Sequence, residues 1–489
     1  MQRFVDAMNK YKYSGINALL FTKDEILENI SLGYSSLENQ TPLMLDDVFR
    51  IASISKVIVG LSIMKLVEEG KIDVEEDISK YLGYEVRNPN YPNDVIKVKY
   101  VMTQTSSISD ANDPDKGYDG VNGPFIHVSL QDLLTNPEYE YYTPKTYLNH
   151  RPGTYFEYSN FGCGILACIV EKVTGKYFTD YVREFLLLPL GLDASFRADE
   201  IVKREKIVSL YTYNNDQPTL TRTSERFIKY VFPRYPLGDN FRGPAGGLFI
   251  SALDLMKISQ MLMNKGIYQG VKIFEEETIN LMEKEAWSGT AEGDPSYKAK
   301  GLQLHLLKID LWPYFGQLGL KGHFGFAYGV MTFMFYNKDF GMIFFSSGNN
   351  STERCDGIRE IEHEALKELI AVYQEKHSPK RAVLTEETLK IIRDFTIDRN
   401  WSQYHSGENL AKSLVLEASE LLELYQWSNE VKDIERLKEE LADVFVYAID
   451  ILDKYNLNIN DIIQKKMEKN AKKYPIDKAY GKSDKYNEL

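Results

Sequence analysis

Cysteine is scarce: the 489 residues contain three, Cys163, Cys168 and Cys355. They are too few and too scattered for a disulfide framework, and no pair has metal-knuckle spacing, so a reducing compartment is expected. Positive charge is also in short supply, with 58 Lys and Arg against 71 Asp and Glu for a net −13. That is the wrong sign for holding a nucleic-acid duplex by phosphate neutralisation. No run approaches the roughly 18 to 20 apolar residues of a membrane-spanning helix. Arg3, Asp6, Lys10 and Lys12 break up the first segment, which lacks the apolar stretch of about 7 to 15 residues of a secretory signal. The expectation is a cytoplasmic protein without a membrane segment. Low-complexity sequence is missing too: 43% hydrophobic and 26% charged residues are ordinary globular usage. A chain this long exceeds what one core usually serves, so at least two domains are expected.

Two kinds of pattern follow one another along the chain. From Ala18 to about Asn350, short β-rich runs alternate with helical patterns that start near Ser55, Phe161 and Ala252, separated by turns rich in Gly, Pro, Asn and Asp. The runs Gly329 to Tyr336 and Gly341 to Ser346, joined by Asn337-Lys338-Asp339, read as an antiparallel hairpin. The segment from Asp110 to Phe125 reads as a loop or lid. Near residue 375 glycine and strand patterns fade, giving an expected first domain 1–375, a linker 376–384 and a second domain 385–489. The second is expected to hold helices at about Glu386 to Asp398, Asn409 to Gln426, Ile434 to Tyr455 and Ile459 to Lys473, followed by a polar tail from Asp477 that frays. Leu437, Leu441, Val444, Phe445, Ala448, Ile451 and Leu452 form the apolar stripe of the third helix.

The first chemical constellation is Ser53-Ile54-Ser55-Lys56, between a strand-like run and a helical pattern. If Ser53 occupies the first turn, a three-residue spacing puts hydroxyl and amine about 60° apart on one helix face. A serine needs a base, and a partly desolvated lysine can become one. The helix N-terminus favours a developing oxyanion. Tyr158-Ser159-Asn160 supplies a phenol able to relay a proton, and His323-Phe324-Gly325 precedes a strand where a ring and a backbone N–H can line an acyl pocket.

These elements resemble the serine β-lactamase and penicillin-binding-protein superfamily, in its class C β-lactamase, esterase and D-aminopeptidase branch. Further similar segments follow in the expected order: Val101 to Ser107, Val173-Thr174-Gly175, Leu188 to Leu192 and Pro244 to Leu248. The resemblance implies an α+β domain, antiparallel sheet with helices. It implies Ser53 as acyl-enzyme nucleophile, Lys56 and Tyr158 handling protons, Asn160 in the second motif and His323 in the third. The N–H groups of Ser53 and Phe326 would form the oxyanion hole. β-Lactamases proper carry a lysine where His323 stands, so the expected small-molecule substrate is an ester, amide or peptide. No cofactor is expected for this domain.

The second constellation pairs carboxylates on helices. Glu417 and Glu420 are three apart, as are Glu440 and Asp443, with nineteen residues between the pairs. Each pair shares a helix face at the border of an apolar stripe. Two antiparallel helices would then gather four hard oxygen ligands suited to Mg²⁺ beside substrate phosphates. Lys466, Asn470 and Lys473 recur at intervals of four and three, a stripe able to hold a phosphate chain.

With Arg399 to His405, Leu422 to Trp427 and Asn470 to Pro475, this pattern resembles the all-α MazG-like nucleoside triphosphate pyrophosphohydrolases, most closely the dCTP pyrophosphatase branch. By that resemblance Glu417, Glu420, Glu440 and Asp443 bind Mg²⁺, and Lys466, Asn470 and Lys473 contact phosphate. Trp401, Trp427 and Tyr447 line the nucleoside pocket, and the helices assemble into a homo-oligomer. The products would be a nucleoside monophosphate and pyrophosphate. The expectation is a cytoplasmic bifunctional hydrolase. Its alternative is an idle N-terminal sensor or scaffold that regulates nucleotide hydrolysis in stress or phage defence.

Overall fold

A computed structural model of the chain describes every residue except 124, 215–216, 232, 290–298, 309–314, 356–357, 378–384, 429–430, 432, 476–478, 480–484 and 486–489. It separates into two units, Met1–Ser378 and Pro379–Leu489. The expected linker lies outside the described residues beyond 377, as does most of the expected polar tail.

In the first unit, helix α1 (Gln2–Met8) leads into strands β1 (Gly15–Phe21), β2 (Ile26–Ser36), β3 (Thr41–Pro42) and β4 (Val48–Arg50). Helices α2 (Ser55–Glu68) and α3 (Asn160–Thr174) follow, then β5 (Phe249–Ser251) and α4 (Ala252–Met263). The unit continues with β6 (Trp287–Ser288), β7 (Ala299–Lys300), β8 (His305–Leu306), β9 (Lys321–Ala327), β10 (Val330–Tyr336) and β11 (Gly341–Ser347), and ends with α5 (Glu360–His377).

Nine strands form one antiparallel sheet in the order β6-β7-β8-β9-β10-β11-β1-β2-β3. The expected hairpin is β10–β11, with Val330 opposite Ser347. Its turn is fixed by Asn337, whose Oδ1 accepts from the N–H groups of Asp339 and Phe340 at 2.8 and 2.9 Å. Such local side-chain capture of the backbone is why Asn favours turns.

The central strands are buried on both faces. Leu19, Phe21, Met334, Ile343 and Phe345 pack with α2, α3 and α4. Ala18, Leu20, Phe333, Phe335 and Phe344 face the other way, onto α1 and α5. Period-two alternation therefore divides one apolar run such as Ala18-Leu19-Leu20-Phe21 between two cores. The Asp110–Phe125 segment is not wholly a loop, because Gly117–Val121 forms a short helix.

The second unit consists of α6 (Glu386–Asp398), α7 (Gly407–Glu423), α8 (Ile434–Lys454) and α9 (Ile459–Lys473). Thr385, Ser406, Asp433 and Asn458 cap their N-termini with side-chain oxygens, each satisfying backbone donors that the first turn leaves open. Helix α7 packs on α8. Leu410 and Ile449 are the fully buried apolar side chains among the described residues of this unit.

Candidate functional site

The chain reaches Ser53 through a sharp strand-to-helix turn. Strand β4 pairs with β5, and the Ile51 N–H continues the pairing onto Leu248 O at 3.0 Å. Ala52 then takes φ +51°, a left-handed conformation that costs a non-glycine residue about 1 kcal/mol. A 3-10 turn over Ala52–Ile54 carries Ser53 and runs into α2. The turn is clamped by Ser55 Oγ, which donates to Ala52 O at 2.6 Å and accepts from the Leu248 N–H at 3.0 Å. Thr332 Oγ1 on β10 holds Ile51 O at 2.9 Å.

Strand β9 passes this turn so closely that only glycine fits at 325. A Cβ there would lie 2.3 Å from Thr332 Oγ1, 2.6 Å from Ile51 O and 3.1 Å from Ser53 N. The backbone of Gly325 and Phe326 is thereby brought against the Ser53 amide. Ser53 and Phe326 both line a cavity of about 750 Å³.

Lys56 lies one turn further, fully buried. Its Nζ is 3.1 Å from Ser53 Oγ, 2.8 Å from Asn160 Oδ1 and 2.9 Å from Ala245 O. Burial is the main cause that lowers its pKa to about 8. A hydrogen bond joins Ser53 to Tyr158, whose ring centroid is 4.8 Å from Lys56 Nζ. Burial raises the Tyr158 phenol above its ordinary range, so it stays protonated at neutral pH. Ser53, Lys56, Tyr158 and Asn160, from two separate segments, thus meet at one point.

Asp110 sets the orientation of Asn160. Its carboxylate accepts from Ser159 Oγ at 2.9 Å, Asn160 Nδ2 at 2.7 Å and the Phe161 N–H at 2.8 Å. With its amide nitrogen engaged there, Asn160 must turn Oδ1 toward Lys56. Gln104, at φ +64°, accepts from the Ser159 N–H through Oε1 at 2.7 Å. Gln104 and Ala245 lie in two of the family-like segments, Val101 to Ser107 and Pro244 to Leu248, but nothing in the sequence assigns them or Asp110 to this site.

His323 lies inside β9 rather than before a strand. It is buried, and its ring lies 6.3 Å from that of Tyr158 and 4.1 Å from that of His305. His305 lies within reach of Lys300 Nζ, 3.2 Å from its Nδ1. Burial, reinforced by the neighbouring lysines, holds both histidines well below their ordinary range and lowers Lys300 to about 7. At neutral pH both imidazoles are uncharged.

In the second unit, Glu417 on α7 and Glu440 and Asp443 on α8 bring carboxylate oxygens within 4.8 Å of one another. Glu417 is raised above the usual carboxylate range by desolvation first, then by Asp443, Glu420 and Glu440. Three hard oxygen donors at this separation fit a small divalent cation. Glu420 is exposed and outside this group of three. Trp401 stands edge-on to Phe395 at 5.6 Å, and Trp427 is 90% exposed. Tyr447 is half-buried on α8, while Lys466 and Lys473 are exposed on α9 beside half-buried Asn470.

Residues 1–366 match the model of the Beta-lactamase family, and residues 412–489 match that of the MazG-like family. Among relatives, the protein flp of Staphylococcus aureus is 29% identical over 185 residues, 38% of this chain and 35% of that protein. The chain thus spans about a third of the length of the curated relatives it matches. The octameric penicillin-binding protein homologue from Pyrococcus abyssi shares the fold with a TM-score of 0.57 and 22% identity, over 76% of each chain. The D-amino acid amidase from Ochrobactrum anthropi does so with a TM-score of 0.55 and 19% identity, over 76% of this chain and 98% of its own.

Proposed function

The chain belongs to the Beta-lactamase family, and from that premise we propose a bifunctional hydrolase: an acyl-enzyme hydrolase domain, 1–375, joined through 376–384 to a nucleoside triphosphate pyrophosphohydrolase domain, 385–489. The observation that carries the first half is the 3.1 Å approach of buried Lys56 Nζ to cavity-lining Ser53 Oγ.

Lys56 Nζ has three oxygen neighbours. As an ammonium it donates to all three. Asn160 Oδ1 and Ala245 O can only accept, so the neutral amine gives them its two protons and directs its lone pair at the Ser53 hydroxyl. Ser53 Oγ then bonds to the substrate carbonyl carbon as its proton passes to Lys56. The oxyanion lies between the N–H groups of Ser53 and Phe326. Lys56 returns the proton through the Tyr158 phenol to the leaving oxygen or nitrogen, and a water repeats the sequence to free the acid. Buried His323 is uncharged at neutral pH, which suits an ester, amide or peptide better than a substrate gripped by a lysine at that position.

For the second half, Glu417, Glu440 and Asp443 would hold Mg²⁺ with Glu420 as fourth carboxylate. The ion would neutralise triphosphate charge and activate water. Lys466, Asn470 and Lys473 would contact phosphates, and Trp401, Trp427 and Tyr447 the nucleobase, a dCTP-like nucleotide being favoured. The products are a nucleoside monophosphate and pyrophosphate. Exposed Phe445, Leu441 and Trp427 support a homo-oligomer formed through these helices.

The test has two arms. A fluorophosphonate probe should label the wild-type chain at Ser53 and leave Ser53→Ala unlabelled; an unlabelled wild type would favour the idle sensor. Mg²⁺-dependent pyrophosphate release from a nucleotide panel should be present in wild type and lost in Glu440→Ala. If no nucleotide is cleaved, the second half is a binding module.

A further inference from the structure

The cavity at Ser53 reverses the charge of the molecule. In a chain of net −13, its lining includes Arg50, Arg197, Arg222, Arg226, Arg234 and Arg242 against one acid, Glu171. Glu171 is already engaged, accepting from the Phe178 and Gly238 N–H groups at 3.1 and 2.7 Å and from Asn240 Nδ2 at 3.0 Å. Arg197 pairs with Asp199 at 2.9 Å and Glu200 at 3.2 Å, and Arg234 with Asp180 at 2.5 Å. Arg242 is tied to the carbonyls of Val121 and Ile126.

Arg50, Arg222 and Arg226 have no carboxylate partner among the described residues. Arg50 spends one N–H on Gly246 O at 2.9 Å and Arg222 one on Thr221 O at 2.8 Å, out of five donors each. Both guanidinium carbons lie 4.8 Å from the centroid of the Tyr328 ring. Tyr328 itself is held at φ +53° in the turn after β9. Stacking on an aromatic ring leaves the N–H edges of a guanidinium available for bidentate capture of a carboxylate. Like charges converging on one ring are unfavourable until an anion joins them.

Position along β9 says where that anion lies in a substrate. Gly325 abuts Ser53 N, and Tyr328 follows three residues later in the turn that ends β9, at most roughly 10 Å along the chain. The arginine-rich part of the cavity therefore lies on the Tyr328 side of Gly325.

We propose that the Ser53 cavity selects acyl groups that end in a carboxylate, captured by Arg50 and Arg222 beside Tyr328, with Arg226 adding positive potential at the rim. This rests on the acyl-enzyme reading of Ser53 for its chemistry, while the binding preference belongs to the cavity itself. The substrates would be esters or amides of short dicarboxylic acids, or of acyl groups with an acidic side chain.

The deciding experiment measures calorimetric binding of monomethyl glutarate and of its neutral counterpart, dimethyl glutarate, to full-length Ser53→Ala, which cannot turn either over. The acid should bind at least tenfold tighter, Arg222→Glu in that background should abolish the preference, and Arg222→Lys should keep part of it. In the chain with Ser53 intact, the ratio of kcat/KM for the nitrophenyl hemi-ester of glutarate over nitrophenyl valerate should fall at least tenfold in Arg222→Gln. Equal binding of the two esters, no binding of either, or a preference untouched by Arg222→Glu would overturn the proposal. Failure of the Ser53 reading looks different: the acid still binds preferentially, yet the intact chain cleaves neither nitrophenyl ester and takes no fluorophosphonate.

Discussion

In the first unit the chemistry is enclosed by its own chain: Lys56 is buried, and every neighbour of its amine comes from within Met1–Ser378. In the second unit the three clustered carboxylates are half-buried or exposed, and Phe445 and Trp427 are 54% and 90% exposed. The contrast follows from how each fold buries apolar surface. A sheet covered on both faces closes its core within one chain, whereas four helices of this length leave apolar stripes that one chain does not cover. A lysine with a lowered pKa needs desolvation, and the first unit supplies it for Lys56. Converging carboxylates need no such enclosure, and the α7–α8 pair brings three of them together while Phe445 and Trp427 stay exposed.

The largest effect that would break this contrast is cross-talk between single substitutions. Ser53→Ala should lower acyl hydrolysis by about 10³-fold or more while leaving pyrophosphate release within twofold of wild type. If pyrophosphate release also falls, the two units are coupled. Next in size, Glu440→Ala should lower Mg²⁺-dependent pyrophosphate release by about 100-fold, since removing one of three close carboxylates takes charge and a ligand from the cation. Fluorophosphonate labelling of Ser53 should proceed at the wild-type rate in the same protein.

What could be read from the sequence was whatever chemistry is local. The three-residue step from Ser53 to Lys56 and the adjacency of Tyr158 and Asn160 place side chains through one turn of backbone, and the hairpin at Asn337 is written in its turn residues. Helix α9 covers Ile459–Lys473, as its periodicity predicts, while α7 begins two residues earlier than predicted because Ser406 caps it, and ends three residues earlier, at Glu423. Asp110, Gln104 and Ala245 reach the site only through tertiary folding; the family-like segments around Gln104 and Ala245 mark their neighbourhoods but not their roles. The meeting of His305 with Lys300 and His323 depends on three neighbouring strands, and no sequence spacing announces it. The sequence pattern puts Gly322-His323-Phe324-Gly325 before a strand, whereas all four residues lie inside β9. In the structure those glycines serve close packing, a Cβ at Gly325 meeting Ile51 O at 2.6 Å.

A smaller effect separates the units by pH. Lys56 has its pKa lowered to about 8, so it is mostly protonated at pH 7 and mostly neutral at pH 9. Acyl hydrolysis, which needs the neutral amine, should rise about tenfold across that interval. Glu417 is shifted upward from the carboxylate range, so metal affinity in the second unit should weaken on the acid side as protons compete for its oxygens. Pyrophosphate release measured in parallel from pH 7 to 9 should show no matching tenfold rise; a shared alkaline limb would mean that one group limits both reactions.

The smallest effect tests how completely the first unit builds its site from within. Asp110 accepts three hydrogen bonds at 2.7 to 2.9 Å, and a neutral amide cannot serve all three donors. In Asp110→Asn the Asn160 amide loses its anchor and can turn its NH₂ toward Lys56, taking an acceptor from the amine. Removing the Asp110 charge, which raises the Lys56 pKa, acts in the same direction. The alkaline limb should therefore move below its wild-type midpoint while the plateau of kcat falls about tenfold, the scale of a positioning loss. Local damage that merely displaced Ser53 would lower the plateau and leave the midpoint in place, so the midpoint distinguishes a carboxylate that orients the base through Asn160 from one that only caps α3.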